Sequence, residues 1–350
     1  MKRFTLSLLA LTLAAGQALA NTPNITALEK AARAEGQLAS VGMPDSWANW
    51  KDTWRDLKTH YGLAHMDTDM SSAQEIAKFA AEKEQATADI GDVGEAFGPI
   101  AVQQGVSQPY KPSTWDDIPA WAKDQDGHWA LAYTGTIAFI VNKQLVKDAP
   151  TSWADLRSGS YKVSVGEVGV ASQANNAVLA AAFATGGNEQ DLSPALDLFA
   201  ELAKQKRLSL NNPVVANLEK GEVEVGILWD FNALGYRDQI DRERFAVVIP
   251  SDGSVTSGYT TIINKYAKNP NAAKLAREYI FSDAGQINLA RGYARPIRAE
   301  KLSLPDDVAA KLLPAAQYAK ARPIADGKAW EASAKQLPRQ WQERVVIHLQ

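Results

Sequence analysis

The sequence predicts an α/β protein of two lobes joined by two hinge crossings, with the second lobe inserted into the first. Two observations carry this expectation. From residue 36 the chain alternates short apolar runs with amphipathic stretches, the pattern of strand, turn and helix units on a mostly parallel sheet. Two further apolar runs stand out: 128–142, far longer than an ordinary strand of about five or six residues, and 245–250 followed by 258–264, which echoes it. Each suits a strand, or two in tandem, that leaves one sheet and enters another.

The elements follow in order. Residues 36–43 read as a buried strand, and the Pro44-Asp45-Ser46 turn leads into a helix over 47–61. A second strand is 64–67, Ser71 or Ser72 is the candidate N-cap, and 74–84 is an amphipathic helix with Ile76, Phe79 and Ala80 on one face. A third strand, 88–93, ends in the loop 94–99, and a Pro/Trp-rich connector, 109–121, leads to the first crossing. The second lobe opens on a helix start at Ser152. It continues with a strand at 162–165, helices at 173–184 and 193–206, and a strand at 223–229. The second crossing is followed by helices at 271–281 and 283–292 and a Pro-punctuated helical tail. The expected division is 1–20 as a signal peptide, 21–134 as the first part of lobe 1, 135–258 as lobe 2, and 259–350 as the return to lobe 1 with the C-terminal helices.

Composition narrows the function. The 350 residues are 46% apolar, enough to bury real cores, and 37 Lys+Arg against 40 Asp+Glu with no basic run argues against nucleic acid as a partner. Zero cysteines excludes thiolate metal sites, Cys nucleophiles and disulfides. Lys2 and Arg3, the apolar run 6–15 and the small-residue stretch Ala18-Leu19-Ala20 form a cleavable export signal, too short for an anchor. Cleavage after Ala20 leaves 35 positive against 40 negative residues, a mature net charge of −5, and the periplasm as the expected location. The G-x-S-x-G, H-E-x-x-H and P-loop patterns are missing, so neither a catalytic residue nor a cofactor is expected. His60, His65, His128 and His348 include no pair at ligand spacing, so no metal site is expected either.

The arrangement resembles the periplasmic solute-binding proteins of ABC importers, in the type II group that includes ferric-ion, polyamine, thiamine and phosphonate or sugar-phosphate binders. The segments carrying the resemblance are QLASVG at 37–42, TGTIAFIVN at 134–142, TSWADL at 151–156, SGYTTII at 257–263, FSDAGQ at 281–286 and RPIR at 295–298. It implies a type II periplasmic binding fold, hinge closure over a small-molecule solute, and transient docking of a monomer to an ABC permease with its ATPase. It also implies how a ferric ion would be held, by two adjacent tyrosines late in the second lobe. This chain has no such pair and offers Leu228-Trp229-Asp230-Phe231-Asn232 there, which argues against iron.

Ligands of α/β sheets bind outside the carboxyl ends of strands, so the interlobe cleft is the expected site. Trp229 and Asp230 end a core strand and could hold an ammonium by ion pairing and cation–π contact, as the resemblance to polyamine binders also implies. Asp45, Ser46 and Trp47 follow the first strand; Asp69, Ser71 and Ser72 precede a helix, as does Ser172, and helix N-termini suit anions. Asp92, Glu95 and Phe97 follow the third strand, while Tyr133, Thr134 and Tyr259 lie on the crossings. Acids dominate this set, which favours an organic cation or amine-bearing solute; a phosphonate or phosphorylated molecule at Ser71, Ser72 and Ser172 is the alternative.

Overall fold

The computed structural model describes residues 24–349, so the expected signal peptide lies outside the described residues. Helix α1 (Ile25–Glu35) ends on Gly36, whose φ of 70° supplies the left-handed C-cap, and the chain turns directly into β1 (Gln37–Val41). There follow α2 (Trp50–Tyr61), β2 (Ala64–Thr68), α3 (Ser72–Glu82), β3 (Ile90–Gly94), α4 (Phe97–Gln103) and the short β4 (Ser107–Gln108). β2, β1 and β3 run parallel, with Gln37 opposite Ala64 and Ser40 opposite Ile90. Their carboxyl ends therefore open on one side of the first lobe.

The first crossing is a single strand, β5 (Trp129–Asn142), 14 residues long and buried almost throughout. The second lobe then comprises α5 (Trp153–Ser158), β6 (Val163–Ser164), α6 (Ser172–Thr185), α7 (Ser193–Lys204), β7 (Leu208–Ser209), α8 (Val215–Glu219), β8 (Val225–Trp229), α9 (Asp230–Ile240) and β9 (Phe245–Val248). Ser152 caps α5 by accepting from Asp155 N at 3.0 Å. β10 (Ser254–Asn264) is the second crossing, antiparallel both to β3 and to β5, with Tyr259 opposite Tyr133. The second half of β5 pairs instead with β8 and β9, Ile137 lying opposite Trp229. Both crossings thus carry the sheet from one lobe to the other in the order β2-β1-β3-β10-β5-β8-β6-β7. This is the two-lobed type II periplasmic binding fold.

α10 (Pro270–Phe281) and α11 (Asp283–Arg291) return to the first lobe, α10 against α1 and α11 against α2. Arg277 of α10 is fully buried with no carboxylate partner among the described residues. It donates instead to the carbonyls of Tyr110, Gly127, His128 and Thr261, so it fastens the connector before β5 onto β10. Beyond β11 (Arg295–Pro296) and α12 (Asp306–Ala309), the tail departs from the sequence expectation of a return to lobe 1. β12 (Ala321–Pro323) adds to the start of β10, and α13 (Gly327–Arg344) packs on α7. Trp341 meets Phe199 edge-on at 5.2 Å, and Arg344 pairs with Asp197 at 2.6 Å, which fixes α13 on the second lobe.

Candidate functional site

A cleft of about 350 Å³ opens where the strand ends of the two lobes face each other. The first lobe supplies Trp47, Asp69 and the first turn of α3; the second supplies Glu167, the first turn of α6, Asn212, and Asn232 and Tyr236 of α9. Four carboxyl groups line it, Asp69, Glu75, Asp92 and Glu167, and among the described residues no Lys or Arg does.

Two of these acids are set deep. Glu75, on the first turn of α3, accepts from Asp92 N at 3.1 Å and is 1% exposed. Its carboxyl fits only because Gly42 and Gly91 flank it: a Cβ on either would come within 2.3 or 2.6 Å of a Glu75 oxygen. Burial pushes Glu75 well above the usual carboxylate range, and the nearby Asp92 adds to the effect. Asp92, the third residue of β3, accepts from Tyr133 Oη at 2.6 Å, and Tyr133 in turn accepts from Trp47 Nε1 at 2.7 Å. Burial raises Asp92 to about 8, hydrogen bonding pulling only partly the other way. Burial also raises the half-buried Asp69. Trp47 closes one wall by edge contacts with Tyr259 at 5.3 Å and Phe231 at 5.4 Å.

The two helix starts in the cleft differ. At α3, Gln74 Oε1 accepts from Ser71 N at 2.9 Å and Ser72 Oγ accepts from Gly94 N at 3.0 Å. α6 is preceded by Ala171, which has no side-chain acceptor, so its first-turn N–H groups are uncapped within the chain. The site can therefore offer carboxylates and aromatic faces to a cation, and one free helix N-terminus to an anion.

Of the residues expected from sequence, the structure brings Trp47, Asp69, Ser71, Ser72, Ser172 and Tyr259 together around this cleft, with Tyr133 directly behind Asp92. Others lie elsewhere. Trp229 is fully buried, its indole donating to Tyr259 Oη at 3.0 Å. Asp230 is turned inward as the first residue of α9: Oδ1 accepts from Thr136 N and Phe231 N, each at 2.9 Å, and Oδ2 accepts from Tyr318 Oη at 2.8 Å. Its carboxylate is consumed in tying α9 to β5 and does not line the cleft. Asp45 and Ser46 are exposed outside it, and Glu95 accepts from Ser257 Oγ at 2.8 Å. Thr134 is a buried β5 residue opposite Gly258, and Phe97 starts α4 and faces a different pocket. Sequence reasoning missed Glu75, Glu167, Asn212, Asn232 and Tyr236. For Glu75 there was a signal, an acid in register with the apolar stripe of α3 (Ser72, Glu75, Ile76 and Phe79 are its buried residues).

No group of three metal-ligating side chains occurs among the described residues, and no described helix is long and apolar enough to cross a membrane. Residues 85–322 match the model of the bacterial extracellular solute-binding proteins. The chain belongs to that family. A sulfate-binding protein of Escherichia coli K12 is 25% identical over 175 residues, 48% of this chain and 53% of that protein. The chain thus spans about half the length of the curated relatives it matches. Among solved structures, the periplasmic binding protein AfuA of Actinobacillus pleuropneumoniae, with fructose-6-phosphate bound, has 18% identity and a TM-score of 0.73, over 89% of this solute-binding protein and 98% of AfuA. AgtB of A. tumefaciens R10, in complex with agropinic acid, has 14% identity and the same TM-score, 0.73, over 89% and 98% of the two chains. These likenesses agree in fold and differ in the ligands they name.

Proposed function

We propose that this solute-binding protein captures a small amine-bearing solute in the interlobe cleft and, as an exported periplasmic monomer, presents it to the membrane permease of an ABC importer. The observation that carries the reading is the uncompensated acid set: four carboxyls and no lining cation among the described residues. Glu75 and Asp92 are buried acids held away from ionisation by desolvation, and an ammonium placed beside them supplies the missing counter-charge. Trp47, Tyr236 and Tyr259 add faces and edges for its carbon skeleton and for cation–π contact. This keeps the cationic ligand expected from sequence but moves its anchor from Asp230 to Asp92, Glu75 and Asp69.

A second reading has its own support. The uncapped start of α6 at Ser172 suits a phosphate, phosphonate or carboxylate, and the ligands named for AfuA and the sulfate-binding relative are anionic. Under it the carboxyls would accept from ligand hydroxyls. The test is thermal melting of the mature protein against polyamines and thiamine, against sugar phosphates and phosphonates, and against ferric salts. A ligand at a hundred times its Kd adds about 2.7 kcal/mol, a shift of a few degrees for a chain this long. Shifts confined to the amines, and lost in Asp92→Asn, support the first reading. Shifts confined to phosphorylated compounds that survive Asp92→Asn overturn it in favour of the second.

A further inference from the structure

Outside the crossing strands, the bodies of the two lobes are joined by one side-chain hydrogen bond among the described residues: Tyr293 Oη, at the end of α11, donates to Asp238 Oδ2 on α9. The backbone that carries Tyr293 is strained. α11 closes in a Schellman turn, Ala294 N donating to Leu289 O at 3.2 Å and Tyr293 N to Ala290 O at 2.9 Å. That turn puts its left-handed residue at Tyr293, with a φ of 65°. Glycine is the usual occupant of this position, and a left-handed backbone is an outlier for a bulky side chain. A glycine stands one place earlier, at φ −86°, and serves another need: a Cβ on Gly292 would come within 2.5 Å of Ala48 C and 2.7 Å of Asn49 N.

The strain extends to the surface against which Gly292 lies. Ala48 and Asn49 also have positive φ, 46° and 59°, and Asn49 Nδ2 donates to Asn288 O at 2.9 Å. Trp47, a wall of the cleft, immediately precedes them. Three left-handed residues other than glycine thus meet where the end of α11 abuts the cleft wall. Such strain persists only where surrounding contacts over-determine it, and it concentrates at clamps and switches.

The side chain of Tyr293 reaches the second lobe. Its Cδ2 lies 4.0 Å from where a Cβ on Gly235 of α9 would stand, and its ring packs against the cluster that includes Leu228, Leu234 and Phe245. Its acceptor is itself held, since Arg237 Nε donates to Asp238 at 2.7 Å.

We infer that Tyr293 is an interlobe latch: its bond to Asp238 and its ring on α9 hold the ligand-free lobes in the arrangement seen here, and the left-handed end of α11 aims the side chain across. Tyr293 does not line the cleft, so it is a positioning residue that acts on binding through the lobe arrangement alone. A protein whose competent arrangement is less populated binds any solute more weakly in the same ratio.

The chain has no cysteine, so Asp45→Cys and Asn211→Cys place one spin label on an exposed residue of each lobe, and electron–electron distance measurement on the ligand-free mature protein reads the lobe arrangement. The wild-type background is expected to show a population at the short distance of the structure. Tyr293→Phe keeps the ring and is expected to lower the ratio of short to long distances about threefold, the worth of one exposed hydrogen bond to a charged group. Asp238→Ala is expected to lower it as much in the wild type and no further in Tyr293→Phe. Tyr293→Gly gives the turn its usual residue, so it is expected to melt no lower than the wild type while losing more of the short distances than Tyr293→Phe does. A packing role alone would lower the melting temperature and leave the distances in place. Should Tyr293→Gly fail to fold, the comparison of wild type with Tyr293→Phe decides. Absence of the short-distance population in the wild type, or an unchanged ratio in Tyr293→Phe, overturns the inference. No solute enters the experiment, so its outcome is independent of which ligand the cleft takes.

Discussion

Asp92 makes the amine reading measurable through pH. With burial holding it at about 8, Asp92 is ionised in about one molecule in a hundred at pH 6 and in about half at pH 8. An ammonium that needs the ionised form therefore binds about fiftyfold more tightly at pH 8 than at pH 6, about 2.3 kcal/mol, with little further gain above that. The sign follows from linkage: the cation binds the deprotonated carboxylate, lowers its pKa, and expels a proton that the empty protein holds at neutral pH. The groups facing Asp92 act in the same direction or stay silent. Glu75 is also raised by burial and adds to proton release, the half-buried Asp67 is raised in the same way, and Tyr133 and Tyr259 are pushed above their usual range and remain neutral. The assay is calorimetry with the polyamine giving the largest melting shift, from pH 6 to 8 in buffers of differing ionisation enthalpy. In Asp92→Asn, whose amide oxygen still accepts from Tyr133, both the affinity and the pH slope should collapse. Affinity that is flat or falls from pH 6 to 8 in the wild type, or wild-type affinity in Asp92→Asn, refutes the reasoning.

The same carboxyl sets a stability window: the folded chain holds its proton between the ordinary aspartate value of 3.8 and about 8, so the ligand-free protein should lose stability as pH rises through that range and level off above it. Chemical denaturation at pH 5, 7 and 9 should show the slope in wild type and a shallower one in Asp92→Asn. Asp230→Ala strips three donors of their acceptor and should cost about 2 kcal/mol in urea unfolding while changing solute affinity by less than about threefold. A large loss of affinity without loss of stability would return Asp230 to the ligand. Arg277→Met removes the guanidinium donors from four backbone carbonyls of the connector and β10, of which Gly127 O keeps Tyr110 N, and should lower the melting temperature by several degrees, costing about 3 kcal/mol or more.

Most of the fold was legible because its largest signals are local. The alternation of short apolar runs with amphipathic stretches marks β1 to β3 and α2 to α3, and a 14-residue buried run has no place in one small sheet, so β5 announced a crossing. The end of the chain was not legible. Trp330, Leu337 and Trp341 show that α13 buries a face, but periodicity does not say against what. Only the contacts with Phe199 and Asp197 place it on the second lobe. The site was half legible for a related reason. Topology names the loops that open on a cleft, which located Trp47, Asp69, Ser72 and Ser172, but it does not fix which way a side chain turns. Asp230 stands at a strand end as required, yet α9 begins on it and directs its carboxylate back to Thr136 N.

Asp230 and the two deep cleft acids differ by what already neutralises them, and this difference bears on how closure would work. Asp230 is satisfied by three donors from its own chain, so it gains little from any ligand. Glu75 and Asp92 have one donor each in hydrogen-bonding geometry and no cationic partner, so their charged forms are costly until a cation enters. On the proposed reading, that cost makes the ligand contribute more in the closed arrangement than in the open one, because solvent relieves the acids once the lobes part. Differential stabilisation of this kind is the only way a ligand can shift an open–closed equilibrium. The chain Trp47 to Tyr133 to Asp92 gives it a route to the hinge: Tyr133 sits on β5 opposite Tyr259 on β10, so the group that senses the ligand's charge is bonded to one crossing strand and paired across to the other. A solute that ionises Asp92 strengthens the hydrogen bond from Tyr133, and with it the contact between the two strands about which the lobes must turn.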